Sequence, residues 1–535
     1  MADAVQPCVA VLDTLLSSTA PLQSEGQQSL LANILELLAC MCEGSEMAVQ
    51  RLSAGAVGAA ALTAAAHVSL SSTAAPVEKL AASKLLHVLA EDNTAVRQFM
   101  HSSGQEPQLL ALLQAAASAA PPAAAQASLA SQCHLLGFAG HIGAFSSQVG
   151  GELVDALAAV CSAVFSALQL LQGAEALQVS IEATTAAAAA HAAAVQHNRK
   201  AMDATPSGAA AGASSQDIEA LQEALHGAQA ETHKLRHTWS AKVQTAKLLC
   251  EVTANIAAGT SDAESSLSDE ALAKLSAVSI LFHAAACGVL QHLPSVFTTS
   301  GDGSAKVLPS IARERILVLI SCMVSALSNL EASAGLTAGQ QGSWWGALLA
   351  ATQVAAQHVP ETKHTLDALL TSAASSLGSC AARGAQVPLE DGQLHLLTQL
   401  LGAMQTQQAA VLPTTLPTLI TVLAQISVLA GSSGSIAVLG SLVPLLLQAA
   451  SAPQLPVAIA ALDGLVDVFS GDEAEVNTLG KSLGVGQAMR AACAQVQQGL
   501  HPAGGAAVPD DTHDAAEEVL ENVQGLLEYK QGILG

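Results

Sequence analysis

The sequence is poor in aromatic residues, in charge and in basic side chains. Aromatic residues make up 2% of the 535 residues and charged residues 12%, against roughly 25% charged residues in typical domains. Few aromatic rings leave little for stacking on nucleic-acid bases. The 19 Lys and Arg residues against 43 Asp and Glu residues give a net charge of −24, which repels phosphate. We therefore expect no direct binding of nucleic acid.

The sequence also lacks the marks of a secreted, disulfide-bonded protein. Its ten cysteines include no Cys-x-x-Cys, no Asn-x-Ser/Thr sequon occurs, and the segment Met1–Pro7 does not resemble a signal peptide. Most of the cysteines lie in apolar helical runs, where a free thiol behaves as a small buried hydrophobic group. Cys40 and Cys42 are both predicted as core residues, and we expect an intracellular, reducing compartment.

No catalytic or metal-binding signature is present. Neither Gly-x-Ser-x-Gly nor His-Glu-x-x-His occurs. The best metal candidate is Glu231-Thr-His233-Lys-Leu-Arg-His237, whose histidines share a helix face. Two basic residues stand among them and no further ligand lies nearby, so we interpret the segment as a solvated helix face. The prediction is a protein without enzymatic activity, cofactor or metal.

One long segment without charge raises the question of a membrane. The residues from Gly402 to Leu462 include no Asp, Glu, Lys or Arg. Gly431-Ser-Ser-Gly-Ser435 divides the segment into apolar runs of about 13 to 16 residues, short of the roughly 20 that cross a bilayer. The pattern therefore predicts two buried antiparallel helices and no membrane partner.

What the sequence has in abundance is apolar helix-forming residues arranged in repeats. Leu37-Leu38 and Leu85-Leu86 each end an apolar run, and each is followed by a polar break, a Val-(Gln/Arg)-(Arg/Gln)-apolar start and a glycine. A period of about 40 to 47 residues is typical of armadillo and HEAT repeats. With 51% hydrophobic residues, the pattern predicts an all-α protein, an armadillo/HEAT-type α-solenoid of stacked helical pairs and triplets.

Breaks in helical periodicity divide the chain into segments. The predicted organisation is armadillo-like repeats over 1–196, a flexible loop over 197–217, armadillo-like helices over 218–258, an acidic loop over 259–270, HEAT-like repeats over 271–500, a loop over 501–513 and a C-terminal capping helix over 514–535. The last helix has an apolar stripe opposite its glutamates, which suits the cap of a terminal repeat.

Binding surfaces are the remaining place for function. The stretch Ala246–Ala258 resembles the third helix of an armadillo repeat, in which asparagines hold the backbone of an extended peptide. Asn255 either takes that role or caps the helix end, and the sequence leaves both open. Trp239 either lines the same groove or packs inside. Of Trp344 and Trp345, one is predicted buried and the other partly exposed.

Four segments resemble the symportin family, the armadillo/HEAT adaptors also described as HEAT-repeat-containing protein 3. They are Leu85–Asn93, Gln244–Ile256, the Ala-Leu-Asp-x-Leu-x-Asp-Val-Phe element at Ala461–Phe469, and Val519–Tyr529. The resemblance implies a chaperone and nuclear-import adaptor for the basic large-subunit ribosomal proteins that accompany 5S ribosomal RNA. It also implies a place in the cytoplasm and nucleus and names an importin as a further candidate partner.

The candidate partner-binding residues come from this resemblance together with the groove-like helix. They are Trp239, Glu251, Asn255, Asp262, Glu264, Asp269, Glu270, Asp463 and Asp467. The excess of acid either attracts basic partners or only keeps an apolar chain soluble. The alternative function is a generic armadillo/HEAT scaffold in trafficking or signalling, whose partner need not be basic. Acid concentrated on a concave surface near Asp262–Glu270 and in the C-terminal repeats would favour the ribosomal clients.

Overall fold

The computed structural model describes most of the chain. The described residues are 2–17, 25–104 without 54, 72 and 92, 107–113 without 110, 126–146, 150–204, 215–258, 267–297, 310–334, 338–382 without 360, 395–402 without 396, 411–501 and 508–534. All regular elements within these ranges are helices. They divide into two compact units, residues 1–285 with 295–326 and residues 286–294 with 327–535.

The first unit contains the helices of the N-terminal half, together with parts of the helices Leu293–Phe297 and Ser310–Ala334. They are α1 (Ala2–Ser17), α2 (Glu25–Glu43), α3 (Glu46–Ser53), α4 (Gly55–Leu70), α5 (Pro76–Ala90), α6 (Thr94–Ser103), α7 (Gln126–His141), α8 (Gly150–Leu168), α9 (Leu170–Ala204), α10 (Ser215–Ala258) and most of α11 (Asp269–Gln291). A 3₁₀ turn covers Ala144–Ser146.

The second unit contains the remaining helices. They are α12 (Leu293–Phe297) and α13 (Ser310–Ala334), each shared with the first unit, then α14 (Ala338–Gln357), α15 (Lys363–Ala382), α16 (Thr415–Ser432), α17 (Ile436–Ala450), α18 (Leu455–Phe469), α19 (Ala474–Ser482), α20 (Val485–Leu500) and α21 (Asp510–Tyr529).

Within the first unit the helices α2, α5, α7 and α10 pack side by side in that order. Side chains about one repeat apart meet between neighbouring helices. The Ser83 hydroxyl donates to Ser131 Oγ at 3.1 Å, 48 residues along the chain, and the rings of His87 and His134, 47 residues apart, are joined at 3.0 Å. The repeat spacing predicted from the sequence is thus the spacing at which successive helices stack, and the all-α solenoid is confirmed.

The breaks between repeats follow from local chemistry. At the start of α5, Pro76 occupies the first turn, where a missing N–H costs nothing. The Ala75 backbone N–H donates to the Glu78 carboxylate at 2.7 Å. At the start of α6 the Asn93 side chain accepts from the N–H groups of Ala95 and Val96, as a helix N-cap does. At α5 and α6 the sequence therefore supplies a side-chain partner for backbone N–H groups at the start of the helix.

The helices α9 and α10 form a long antiparallel pair that the sequence did not predict. The helix α9 continues to Ala204 and α10 is one unbroken helix from Ser215, so the predicted loop over 197–217 is wrong for 197–204 and 215–217. Along α10 the less exposed side chains follow a spacing of three and four residues, the pattern of a coiled-coil seam. They are Ile218, Leu221, Leu225, Ala228, Thr232, Leu235 and Trp239.

Hydroxyl groups hold the middle of this antiparallel pair. Thr232 Oγ1 lies 2.7 Å from Ser180 Oγ and 2.8 Å from Thr184 Oγ1. The Thr184 hydroxyl also lies 3.1 Å from the Ala228 carbonyl, as donor. Short side chains allow the two backbones to approach closely, and we name residues 178–204 and 215–238 the arm. Within the arm the two helices pack against each other.

The second unit also contains a stack of helices, in which α15, α16, α18 and α21 pack in that order. The helices α17 and α20 both pack against α18. The uncharged segment forms α16 and α17, joined by a turn in which Gly434 has a φ of 72°. A left-handed residue of this kind favours glycine. Leu419 and Leu423 of α16 are fully buried, so the two predicted buried helices are confirmed.

Three described helical segments are long and apolar enough to cross a membrane when judged by length and composition alone. They are Gly150–Lys200, Asp269–Phe297 and Thr415–Ser432. The absence of a membrane partner therefore stays a prediction.

The exposure of the tryptophan and cysteine side chains differs from the prediction at two points. Trp344 and Trp345 of α14 are both buried, so the prediction that one is partly exposed is wrong. Cys42 is buried as predicted, whereas Cys40 is exposed. Cys133 is also buried, and burial raises the pKa of its thiol to about 12. The other buried thiols in the described ranges are Cys161, Cys250 and Cys287.

The C-terminal helix begins earlier than predicted. It starts at Asp510, so the predicted loop over 501–513 is wrong for its last four residues.

The side chain of Lys530, the residue that follows this helix, is fully buried. Its ammonium donates to the Gly471 carbonyl and, at 2.8 Å, to Asp472. The hydroxyl of Tyr529 donates to the same carboxylate at 3.0 Å.

Replacement of Lys530 by Met should lower the free energy of unfolding of the second unit by about 2 kcal/mol. The apolar stem keeps its place, while the partly buried Gly471 carbonyl loses its donor. Urea unfolding followed by the fluorescence of the buried Trp344–Trp345 pair measures the change. The control Lys481→Met removes an exposed lysine of α19 and should have little effect. Equal stability of the two variants would contradict this role.

Candidate binding groove

A groove runs across the inner helices of the first unit. It has a volume of about 1600 Å³ and lies against α2, α3, α5, α7 and α10. Three of these helices, α2, α5 and α7, stack at the repeat period, so successive repeats contribute neighbouring strips of the surface. We name it the repeat groove.

Acidic side chains outnumber basic ones along the repeat groove. Lys84 is the sole Lys or Arg among the described residues that line it. The carboxylates are Glu36, Glu43, Glu46, Glu91 and Glu251. A cleft lined by charge of one sign concentrates the field and raises the local concentration of opposite charge. The groove therefore favours a cationic ligand.

The lysine of the groove is bound to two of these carboxylates. Lys84 Nζ lies 2.8 Å from Glu36 Oε1 and 3.4 Å from Glu43 Oε1, and 3.9 Å from the sulfur of Cys40. Burial alone would lower the pKa of Lys84. The hydrogen bond to Glu36 and the charges of both glutamates outweigh it, so the pKa lies above its ordinary value.

Three histidines form the middle of the groove. The Nδ1 atoms of His87 and His134 lie 3.0 Å apart, so one ring must carry its proton there and the other must accept. The ring of His141 lies 5.3 Å from that of His87. Burial, with the neighbouring His141, lowers the pKa of His87 to about 4. Burial, with His87 and Lys84, lowers that of His134 to about 3. At neutral pH both rings are uncharged.

A glycine makes room for this cluster. A Cβ atom on Gly137 of α7 would lie 2.5 Å from His87 Nε2 and 2.9 Å from Val252 Cγ2 of α10. The absence of a side chain at Gly137 thus lets α5 and α10 pack against the same turn of α7.

Two of the predicted partner-binding residues line the repeat groove. Glu251 and Asn255 lie on its α10 side, and both are exposed. Glu251 also pairs with Lys247 at 3.3 Å. The groove residues on α2, α3, α5 and α7 were missed. The repeat period would have revealed some of them, since His87 and His134 stand 47 residues apart.

Trp239 does not line the groove. It is buried at the base of the arm, where its indole Nε1–H donates to the Leu170 carbonyl at 3.1 Å. The Cδ1 atom of this ring lies so close to Gly173 that no Cβ would fit there. Of the two readings that the sequence left open, packing is correct, and the prediction of a partner contact at Trp239 is wrong.

The predicted acidic loop divides between described and undescribed residues. Asp262 and Glu264 lie outside the described residues. Asp269 and Glu270 are in the first turn of α11, so the loop prediction is wrong for these two. Glu270 pairs with Lys274 at 3.1 Å, and Lys274 pairs with Asp155 of α8 at 2.7 Å. Neither Asp269 nor Glu270 is among the described residues that line the groove.

Asp463 and Asp467 lie together on α18 in the second unit, and both are exposed. Partial burial and the charge of Glu518 raise the pKa of Asp463. Partial burial and the charge of Asp463 raise that of Asp467. Their role as partner contacts stays a prediction.

The structure places the histidines of the candidate metal segment on an exposed helix face. Glu231, His233 and His237 of α10 are all exposed, as the sequence predicted. Within the described ranges, no group of three or more His, Cys, Asp or Glu side chains is arranged to hold a metal ion. His237 instead contributes to the edge of the repeat groove.

Comparison with known proteins gives only distant likenesses. No protein-family model matches the chain, and no curated protein matches it. An engineered protein of solved structure aligns over 97% of this chain and 99% of its own, with 14% identity and a TM-score of 0.37. Importin beta aligns over 98% and 67%, with 11% identity and a TM-score of 0.30.

A third solved structure, Kap121p, aligns over 98% of this chain and 63% of its own, with 11% identity and a TM-score of 0.27. Likenesses this weak carry no argument about a ligand. The assignment to the α-solenoid class rests on the chain's own helices, their repeat spacing and their stacking.

Proposed function

We propose that the chain is a non-enzymatic binding protein that holds an extended, basic segment of a client protein in the repeat groove. The observation that carries the proposal is the balance of charge there, with five glutamates against the one lysine among the described lining residues. A net charge of −24 over the whole chain acts in the same direction.

Binding would proceed in two physical steps. The acidic field first steers a cationic segment to the groove and raises its encounter rate, an effect that salt screens. The exposed Asn255 then has both a donor and an acceptor to offer to the backbone of an extended peptide. Lys and Arg side chains of the client would pair with Glu46, Glu91 and Glu251.

The clients we propose are the basic large-subunit ribosomal proteins that accompany 5S ribosomal RNA. Such segments are strongly cationic and need shielding before they meet RNA, which an acidic groove supplies. The chain would then act as their chaperone and nuclear-import adaptor, in the cytoplasm and nucleus, with an importin as a further partner. The sequence resemblance to the symportin family and the acidic groove support this client class.

Neutralising the three groove glutamates that lie apart from Lys84 should weaken binding of a basic peptide. We expect Glu46→Gln/Glu91→Gln/Glu251→Gln to lose about tenfold in affinity at low ionic strength, because each partly exposed ion pair contributes roughly 0.2–1 kcal/mol. Fluorescence anisotropy with a short labelled lysine-rich peptide measures the loss.

A matched control carries the same change of charge elsewhere. Glu517→Gln/Glu521→Gln/Glu528→Gln neutralises three exposed glutamates of α21 and should leave the affinity within about twofold. Equal losses in both triple variants would show that net charge, not the groove, binds the peptide. The client class is tested by capture from a cell lysate at low salt. Recovery of no 5S-associated ribosomal protein would contradict it.

A further inference from the structure

The ion pairs of Lys84 lie inside the repeat groove rather than beneath it. Lys84, Glu36 and Glu43 all line it. The side chain of Lys84 keeps 20% of its surface exposed, and the side chains of Glu36 and Glu43 each keep 48%. Both carboxylates can therefore be reached from the groove while an ammonium group is already bound to them.

Comparison of successive repeats shows that Lys84 occupies a position at which the preceding repeat has a glutamate. Glu36 and Glu43 are seven residues apart on α2, and 48 residues later the same pattern gives Lys84 and Glu91. Lys84 is thus the counterpart of Glu36 in the next repeat, and the two side chains are in contact at 2.8 Å. The glutamate of one repeat is neutralised by the lysine that takes its place in the next.

The surroundings of Lys84 Nζ are those that a lysine of a client would need. The ammonium group has three donors. The two glutamates approach it at 2.8 Å and 3.4 Å, and the sulfur of Cys40 at 3.9 Å. The groove therefore already contains one lysine ammonium in a site that two carboxylates form.

We propose that Glu36 and Glu43 form a lysine subsite of the repeat groove and that Lys84 fills it as a built-in competitor. This inference rests on the proposed function, since it concerns how the same groove receives a basic segment. A client lysine reaches the two carboxylates by displacing Lys84, and one ammonium group replaces another without a change in the number of ion pairs.

The competitor sets a threshold for what binds. A lone lysine gains little, because the ion pair it forms is offset by the pair it breaks. A segment with several basic residues also forms ion pairs with Glu46, Glu91 and Glu251. Once it is bound there, the displacement of Lys84 costs little further free energy. Lys84 thus makes the groove select clustered basic residues over isolated ones.

Removal of the competitor should raise the affinity for a lysine-rich peptide. We expect Lys84→Gln to bind the labelled peptide about two- to fivefold more tightly at low ionic strength, the range that a partly exposed ion pair covers. Lys84→Met, which keeps most of the apolar stem, is the second variant should glutamine disturb packing. Circular dichroism confirms that each variant is folded.

A double-mutant cycle separates the subsite from a general effect of charge. The Lys84→Gln/Glu36→Gln variant should lose most of the gain in affinity that Lys84→Gln gives, and Glu36→Gln alone completes the cycle. Lys481→Gln, which removes an exposed lysine of α19 with the same change of charge, should leave the affinity within about twofold.

The outcomes distinguish this inference from the proposed function. If the native chain binds the peptide while Lys84→Gln raises the affinity no more than Lys481→Gln does, that result overturns the inference but not the proposed function. Binding that appears only once Lys84 is removed supports it. Failure of the native chain and of both Lys84 variants to bind the peptide overturns the inference and the proposed function together.

Discussion

The first unit should lose about 5 kcal/mol of unfolding free energy as the pH falls from 6.5 to 4, because two buried histidines contribute. The pKa of His87 is lowered from 6.5 to about 4 in the folded protein, and that of His134 to about 3. Below pH 6.5 the unfolded chain takes up protons at these rings while the folded chain does not. Each pH unit in this window costs about 1.4 kcal/mol for one such group.

The surroundings of the pair support this direction. Lys84 of α5 and His141 of α7 lie close and oppose a positive charge on the rings. The groove glutamates on α2, α3 and α10, together with Glu91 just after α5, favour it, yet burial is the largest cause of both shifts. The stability is therefore fully present above pH 6.5 and is lost progressively as the pH approaches 4.

Hydrogen exchange of the peptides that cover α5 and α7, recorded between pH 7 and pH 4 with correction for the intrinsic rate, follows this loss. The double variant His87→Gln/His134→Gln should show a much flatter dependence, because it has no ring to protonate. His226→Gln, in the exposed face of the arm, should behave as the native chain. A pH dependence that survives in the double variant would assign the acid sensitivity to other groups.

Replacement of Gly137 by Ala should destabilise the first unit by about 3 kcal/mol. The new methyl group would meet the His87 ring at 2.5 Å and Val252 at 2.9 Å. Val252 is β-branched and has little freedom to move aside. The helices α5 and α10 must therefore separate from α7, which opens the repeat groove at its centre.

Urea unfolding monitored by Trp239 fluorescence, with the fluorescence of the second unit subtracted, measures this change. The matched control is Gly227→Ala in α10, since no atom lies within 4 Å of a Cβ placed there. It should stabilise the chain by about 0.5–1 kcal/mol, the gain from a better helix former. If both alanine variants shift in the same direction, the close packing at Gly137 does not control stability.

The repeat architecture was predictable because it depends on local and periodic features of the sequence. Paired leucines at a 48-residue spacing and an N-cap asparagine such as Asn93 are visible without a structure. The groove position of Asn255 was one of two roles that the sequence left open, and the resemblance of its helix to an armadillo third helix suggested it. In all these cases the deciding contacts lie within one repeat or at one fixed offset.

The features that could not be predicted from the sequence depend on contacts between segments that are far apart along the chain. The polar run after His197 is typical of a loop, yet α9 continues because α10 packs along it. Trp239 was a candidate for the groove surface, but its indole N–H donates to the distant Leu170 carbonyl and its ring is buried. The pairing of Lys84 with Glu36 required the register of α5 on α2, which only the stacked helices define.

The arm has a mechanical consequence. Between Ser215 and Trp239 the helix α10 rises about 1.5 Å per residue, so the arm extends roughly 35 Å beyond its base. A rotation of about 10° at the base would move its tip by roughly 6 Å over that length. The second half of the same helix lines the repeat groove through Glu251 and Asn255. The arm is therefore a lever that magnifies small tilts of α10, and a spectroscopic label near its tip would report them as a displacement large enough to measure.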